Sequence, residues 1–246
     1  CDRNGLFNLE LTMKRYCIAL LTLIVLPVVG QNLEPSTYLG KKVEHQYYTI
    51  SYVEEYEQPE WTFHTVCKKC YGPAERKNNF REDPLIKSTS AQLVDYKGSG
   101  YDRGHLVPAG DMNRNKTAMS ESFYLSNMSP QNPSFNRGIW RKLETKIRDW
   151  SMYYDTMYVV TGPIFDRGYK TIGYNSVAVP QFYFKAIYAV KARKMIGFIL
   201  PNEGSKSDLS RYQVSVDFIE QKTKIDLFPA LDDAVEKKLE GSLVQF

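Results

Sequence analysis

The chain has 246 residues, a formal charge of +4 and a hydrophobic content of 43%, all ordinary for a globular protein. The charge permits a polyanionic partner but is too small to require one. Tyrosine and phenylalanine are plentiful, so a core can form without a disulfide framework, and the sequence contains no internal repeat, low-complexity tract or evident second domain boundary.

The first 30 residues are separable from the rest. Met13 is a plausible start, and Lys14 and Arg15 precede an apolar run of about 14 residues, 16–29, which ends in small residues before Gln31. These features are typical of a secretory signal peptide, and the run is shorter than the roughly 20 residues of a membrane span. We therefore expect export to the periplasm or the extracellular space, without stable membrane association after cleavage. An uncleaved anchor or a buried helix is the alternative.

Two cysteines follow this segment, Cys67 and Cys70, in a C-x-x-C spacing. In an exported protein such a pair is most simply a local disulfide, or two idle thiols. A zinc site that includes His64 is the alternative, but three residues fall short of the four ligands of a structural zinc ion.

The remaining chain is predicted to form a polar lead-in, 31–45, and one domain, 46–246. The predicted strands are 47–53, 61–66 after an acidic turn around Pro59, 92–96, 157–161, 177–179, 182–190 and 194–200. The predicted loops, rich in charge, polar residues or proline, are 74–84, 111–120 and 127–133. The predicted helices are 136–150, 214–223 and 231–239. This mixed order indicates an α+β fold with a mixed or antiparallel central sheet flanked by helices.

The helix at 136–150 has the clearest periodicity. At 100° per residue, Trp140, Leu143 and Ile147 fall on one apolar face, and basic residues line the other faces. We therefore expect this helix to pack on the core while it presents positive charge to solvent.

One of the three histidines lies in the segment Tyr101-Asp102-Arg103-Gly104-His105. A lone histidine is more often structural than catalytic. Here, however, the arginine can neutralise an anionic oxygen substrate, the histidine can move a proton, and the glycine permits close backbone approach. The segment is therefore a candidate site for an anionic substrate.

Three polar residues further along the chain could complete such a site. Asn136 offers a carbonyl oxygen that suits a hard cation such as Mg²⁺, although an asparagine in the first turn of a helix is more often an N-cap. Asn127 would otherwise be a turn residue, and Glu144 a solvated helix residue. None of these signals decides the function alone.

Four segments occur in a specific order: Asp102-Arg103-Gly104-His105, Asn127-Met128-Ser129-Pro130-Gln131, Asn136-Arg137-Gly138-x-Trp140 and Leu143-Glu144. In this order they resemble the DNA/RNA non-specific endonucleases, the endonuclease G-like group with a ββα-metal (His–metal finger) site. Blocks at 79–84, 160–164, 180–185 and 216–220 are also similar to this family. The resemblance covers roughly residues 45–240.

The resemblance implies a role for each group that would take part in the reaction. His105 would be the general base that activates the attacking water. Asn136 would be the one direct protein ligand of the metal, and Glu144 would hold water of its hydration shell. The implied metal is Mg²⁺, with Mn²⁺ as the alternative.

The resemblance also implies how the phosphate is held. Arg103 would bind it, and Asn127 would position groups around the site. An upstream arginine contributes in this family; Arg76 is the candidate and Arg81 its rival.

The implied activity is hydrolysis of DNA and RNA to 5′-phosphate ends. Both partners would be contacted mainly through phosphates, so sequence specificity would be low. The rate should climb with pH through about 6 to 7, the ordinary range of histidine. A phosphodiesterase of narrower substrate range, or a non-catalytic polyanion-binding protein on the same fold, remains the alternative.

Overall fold

A seven-stranded antiparallel sheet organises the part of the chain that the structure describes. The computed structural model describes residues 33–36, 39–88 and 90–242, with 233–235 described by their backbone alone. The predicted signal peptide lies outside these residues. Within the described ranges, no helix is both long and apolar enough to cross a membrane.

The eleven strands of the described residues form the central sheet and two short two-stranded ribbons. They are β1 Lys41–Glu44, β2 Tyr48–Val53, β3 Gln58–Val66, β4 Asp102–His105, β5 Met128–Gln131, β6 Met157–Ile164, β7 Lys170–Ile172, β8 Val177–Val179, β9 Phe182–Ala189, β10 Lys194–Pro201 and β11 Gln213–Val214. The sheet has the order β1-β2-β3-β6-β9-β10-β11, whereas β4 pairs with β5 and β7 with β8.

Helices cover the two faces of the sheet. They are α1 Leu93–Tyr96, α2 Lys116–Glu121, α3 Pro133–Phe135, α4 Arg141–Tyr154, α5 Val216–Thr223 and α6 Asp233–Glu240.

The sheet is buried on both faces because successive residues of a strand point to opposite sides. In β6, Val159 packs in the core cluster that contains Leu143 of α4, whereas Val160 packs in the cluster that contains Ile219 of α5. The predicted apolar face of α4 is thereby confirmed, and so is the α+β fold with an antiparallel sheet.

Several local predictions are wrong because side-chain capping overrides strand or loop propensity. The segment 92–96 forms the helical turn α1 rather than a strand, since Gln92 and Asp95 cap it reciprocally. The segment 111–120 contains α2, whose first turn is capped by the Asn115 side chain, 2.9 Å from the backbone nitrogen of Ala118.

The segment predicted as a proline-rich loop, 127–133, contains strand β5. Pro130 pairs with Arg103 across the β4–β5 ribbon. A proline is tolerated there because both strands of a two-stranded ribbon are edge strands. Pro59 likewise lies inside β3 rather than in a turn, and the predicted lead-in, 31–45, contributes the edge strand β1.

The long helix begins later than its periodicity predicts. Residues Asn136–Trp140 form a widened π-helical turn in which Gly138 departs from helical dihedral angles (φ −105°, ψ −111°), and the regular helix α4 follows. Such π-helical turns are frequent at functional sites.

Cys67 and Cys70 are joined in a disulfide, with their Cα atoms 4.9 Å apart. The ring nitrogen Nε2 of His64 lies 3.0 Å from the carboxylate of Asp111. The three residues therefore do not form the alternative zinc site.

Candidate active site

The β4–β5 ribbon carries the Asp-Arg-Gly-His segment and holds it at the edge of the α4 layer. Asp102 pairs with Gln131, and His105 with Met128. A Cβ atom on Gly104 would lie 2.1 Å from the side chain of Gln131. The glycine therefore permits the close approach that the sequence led us to expect.

Asn127 fixes the backbone where β4 ends. It is fully buried, and its Oδ1 accepts from the backbone nitrogen of Val107 at 2.9 Å. Its Nδ2 donates to the carbonyl oxygens of Val107 at 3.0 Å and Ser122 at 2.9 Å. With its amide engaged by the backbone, Asn127 can act on the site only by positioning the chain beside His105.

Replacement of Asn127 by alanine is expected to lower the free energy of unfolding by about 2–4 kcal/mol, because it leaves buried backbone groups at Val107 and Ser122 unpaired. Urea denaturation measures the change. Asn113→Ala is the matched control, since the Asn113 side chain is partly exposed and accepts one hydrogen bond, from Gly72 at 3.2 Å. Equal losses in the two variants would contradict the positioning role.

His105 lies in an aromatic enclosure. Its ring meets those of Phe80 and Phe123 edge-on, with centroid distances of 5.8 Å and 4.8 Å. Its Nε2 is buried and has no hydrogen-bond partner within the described residues. Burial, followed by the positive charge of Arg76, lowers the pKa of His105 to about 3. The imidazole is therefore neutral at physiological pH and can accept a proton.

This environment places the titration of His105 below the pH 6 to 7 range expected from the sequence. In the metal-free protein, His105 should stay neutral from pH 8 down to pH 5. Two-dimensional NMR of the ring nitrogens measures its titration directly, and the unfolded chain is the control, with an expected histidine pKa near 6.5. A His105 midpoint above pH 6 in the folded protein would refute the expectation.

Two guanidinium groups flank the imidazole. The Arg103 group lies 4.5 Å from the centroid of the Phe80 ring, and the Arg76 group lies 4.9 Å from that of Phe123. Neither forms an ion pair with a described carboxylate, and the Nε of Arg103 is buried without a hydrogen-bond partner in the described part of the chain. Their charge is therefore available to an anion.

Arg81, the rival of Arg76, is engaged elsewhere. Its guanidinium lies 4.1 Å from the centroid of the Tyr124 ring and donates to the carbonyl oxygens of Asn79 and Ser120. The positive charge that acts on His105 comes from Arg76. The structure thus places Arg76, not Arg81, beside the imidazole.

Asn136 is oriented by Asp102. Its Nδ2 donates to Oδ2 of Asp102 at 2.9 Å, and Arg137 donates to both oxygens of the same carboxylate, at 2.8 Å and 2.6 Å. Partial burial opposes ionisation of Asp102, but these hydrogen bonds outweigh it and hold its pKa below the ordinary value. Because an ionised carboxylate only accepts hydrogen bonds, the amide nitrogen must face it. The amide oxygen of Asn136 therefore faces away from Asp102.

Glu144 lies in the first turn of α4. The charges of Lys185, Asp111 and Arg148 act on its carboxyl group. Burial raises its pKa, and the positive charge of Lys185 opposes that rise. The Lys185 ammonium is buried and donates to the hydroxyl of Thr161 at 2.8 Å and to the carbonyl of Leu106 at 3.4 Å. Lys185 thus connects the backbone of Leu106, the residue after His105, to the central sheet. Its positive charge also acts on Glu144.

Contacts and charge interactions connect most of the predicted site residues. Asn136 contacts Asp102, Arg103 and His105 share the Phe80 ring, and Arg76 acts electrostatically on both His105 and Glu144. Asn127 lies behind this group, in the backbone scaffold.

Comparisons with known proteins show what the chain is similar to. The model of the DNA/RNA non-specific endonuclease family matches residues 30–234. The chain is 36% identical over 211 residues to the mitochondrial nuclease EXOG of Danio rerio, which covers 76% of this chain and 62% of that protein. It is 35% identical over 210 residues to nuclease C1 of Cunninghamella echinulata var. echinulata, covering 77% and 83%.

The chain belongs to the DNA/RNA non-specific endonuclease family. A crystal structure of an EndoG/EndoGI complex matches with a TM-score of 0.73 and 30% identity, over 79% of this chain and 88% of that one. The predicted family and fold class are thereby confirmed, and the predicted enzyme class, a metal-dependent endonuclease, is that of this family. The chain spans less than two thirds of the length of the EXOG relatives.

The predicted export is contradicted by these relatives. Besides the EXOG proteins, a Schizosaccharomyces pombe relative that is 31% identical over 236 residues is named a mitochondrial nuclease. Its match covers 85% of this chain and 72% of that protein. The signal-peptide interpretation of residues 13–30 therefore does not establish an exported protein.

The residues present fit the single metal ion of a non-specific endonuclease. The Asn136 amide oxygen accepts no hydrogen bond from the described residues, and it faces away from Asp102. No group of three His, Cys, Asp or Glu ligands gathers here in the described part of the chain. An oxygen ligand without a surrounding protein cage suits Mg²⁺, which keeps most of its waters.

Three residues near the site were not predicted from the sequence. Phe80 and Phe123 pack against the imidazole, and Lys185 donates to the backbone carbonyl of Leu106, the residue after His105. Lys185 could have been noticed as a charged residue inside the apolar strand β9. The two phenylalanines give no such signal, because their proximity to His105 depends on tertiary packing.

Proposed function

We propose that the chain hydrolyses phosphodiester bonds of DNA and RNA by a one-metal mechanism with His105 as general base. The observation that carries the proposal is the neutral His105 imidazole, whose Nε2 has no partner within the described residues. It lies beside two guanidinium groups that form no ion pair with a described carboxylate. A neutral base flanked by positive charge suits attack of water on an anionic ester.

In this mechanism His105 takes the proton of the attacking water. Arg103 and Arg76 hold the phosphate and stabilise its added negative charge. Mg²⁺, or Mn²⁺ as the alternative, held by Asn136 with help from Glu144 would supply positive charge to the phosphate and the leaving oxygen.

Water as the external nucleophile makes the 2′-hydroxyl unnecessary. Both DNA and RNA are therefore substrates. The bond between phosphorus and the 3′-oxygen breaks and leaves a 5′-phosphate, and the departing 3′-oxygen takes a proton from solvent water to become a 3′-hydroxyl. Recognition rests mainly on phosphates, so sequence specificity is low.

The test is incubation of the purified chain with plasmid DNA and with RNA, each with Mg²⁺ and with a chelator. Degradation of both polymers with Mg²⁺ alone is expected, and ligation and labelling assays identify the ends. Cleavage of nucleotide esters without cleavage of either polymer would favour the narrower phosphodiesterase. Binding without any cleavage would favour the polyanion-binding alternative.

Activity should fall steeply with salt if the exposed Lys142 and Lys146 of α4 contact phosphates. Replacement of both by glutamine should reduce the slope of log kcat/KM against log salt concentration by about 2, since each phosphate contact contributes about 0.9. Lys222→Gln on α5, across the sheet from α4, is the control and should leave the slope unchanged. An unchanged slope in the double variant would contradict this binding surface.

A further inference from the structure

Three carboxylates meet on the face of the sheet opposite α4, where α5 and α6 lie. Asp217 and Glu220 are on α5, and Glu240 is the last residue of α6. One oxygen from each carboxylate lies within 4.8 Å of the others. The group is separate from the active site, because α5 packs in the opposite core cluster.

Glu240 lacks the hydrogen bonds that a buried carboxylate needs. It is 5% exposed, and its Oε1 is buried with no hydrogen-bond partner in the described part of the chain. Almost all buried polar groups in proteins find a partner, so an unpaired carboxylate oxygen indicates an absent ligand. A ligand for this oxygen must be a hydrogen-bond donor or a cation.

The surrounding charges favour a cation. None of the three carboxylates forms an ion pair with a described lysine or arginine. Burial, then the negative charges of Glu220 and Glu236, raises the pKa of Glu240 to about 9, and burial raises that of Glu220 to about 7. Without a cation, Glu240 is therefore protonated at neutral pH, and a bound cation would displace that proton and neutralise the carboxylates.

The backbone also favours a cation here, and it restricts the positions of the carboxylates. Because α6 ends at Glu240, its C-terminal carbonyl groups, the negative end of the helix dipole, are beside the carboxylates. The backbone nitrogen of Leu227 donates to Oε1 of Glu220 at 2.7 Å. A Cβ on Gly241 would lie 3.3 Å from Oδ2 of Asp217, so the end of α6 packs closely against α5.

We propose that Asp217, Glu220 and Glu240 bind a Ca²⁺ ion that clamps α6 onto α5. Ca²⁺ takes oxygen ligands at about 2.3–2.6 Å, so oxygens on opposite sides of one ion are about 4.6–5.2 Å apart. The three oxygens lie within 4.8 Å of one another, so small side-chain shifts bring all three carboxylates onto a single Ca²⁺. Mg²⁺ binds at about 2.0–2.1 Å and would require the three oxygens to contract around it when they lie at that limit.

The test uses the full chain carrying Asn136→Ala, which removes the proposed ligand of the active-site metal. Calorimetric titration with Ca²⁺ at pH 8 should give one bound ion. At a hundredfold excess of Ca²⁺ over its Kd, the Tm should rise by about 5 °C or more. Both readouts are independent of nuclease activity.

Glu240→Gln and Asp217→Asn, each added to the Asn136→Ala chain, should abolish the Ca²⁺ heat and the Tm shift. These near-isosteric changes relieve repulsion, so the fold should persist, and circular dichroism verifies it. Glu203→Gln, at an exposed turn, is the matched control and should retain both signals. Absence of Ca²⁺ binding in the parent chain, or its persistence in both folded variants, would overturn the proposal, as would a larger Tm shift with Mg²⁺ than with Ca²⁺.

Discussion

Replacing His105 with alanine is expected to lower kcat on both DNA and RNA by about 100- to 10,000-fold, the usual contribution of a general base. The loss should appear in kcat because proton transfer stabilises the transition state and not the bound substrate. Binding of nucleic acid, measured by fluorescence anisotropy in the presence of Ca²⁺, should change little, since the guanidinium groups of Arg103 and Arg76 remain.

A second buried histidine provides the control. The His45 ring is stacked on Tyr48 at 4.4 Å, and its Nε2 lies 3.1 Å from the carboxylate of Asp83. His45→Gln should lower Tm but leave kcat of the folded enzyme nearly unchanged. A folded His105→Ala protein that retains full kcat would eliminate His105 as the base.

The role of His105 could be predicted from the sequence, but its pKa could not. The order of the polar segments marked the residue as chemically important, and this order can be seen in the sequence without knowledge of the fold. Its lowered pKa depends on Phe80 and Phe123, which reach the ring from distant segments. The ordinary titration range of an exposed histidine therefore does not describe this buried ring.

The central strands were predicted well because both faces of the sheet are buried. Strand β9 is almost continuously buried, and such a run has a strong sequence signal. The β4–β5 ribbon and the short helices near the site lack that signal. The helical turn at 93–96 depends on one reciprocal cap, and β5 contains Pro130, so local propensity indicated other structures.

Asp102 shows what the structure adds to the motif. Roles were predicted from the sequence for its neighbours Arg103 and His105, but none for Asp102. In the structure its carboxylate holds the amide nitrogen of Asn136 and is held in turn by Arg137. A partner that orients a metal ligand is typically worth about 10- to 100-fold in metal affinity or activity. Asp102 is therefore expected to act through Asn136.

This dependence predicts strong non-additivity. Asn136→Ala should lower metal-dependent kcat/KM by about 1,000-fold, because several kcal/mol of charge stabilisation depend on the metal. Asp102→Ala should lower it by about 10- to 100-fold and raise the Mg²⁺ concentration needed for half-maximal rate. The double variant should be little worse than Asn136→Ala alone, since Asp102 has no amide left to orient.

The double-mutant cycle separates orientation from a direct role of Asp102. Independent contributions would multiply, so the double variant would lose about 10,000-fold or more. Arg137→Gln is a useful third variant because it removes hydrogen bonds to Asp102 and leaves Asn136 unchanged. It should raise the Mg²⁺ concentration needed for half-maximal rate, as Asp102→Ala does. Multiplicative losses, or an unchanged Mg²⁺ requirement in Asp102→Ala, would mean that the carboxylate acts on the substrate itself and not through the asparagine.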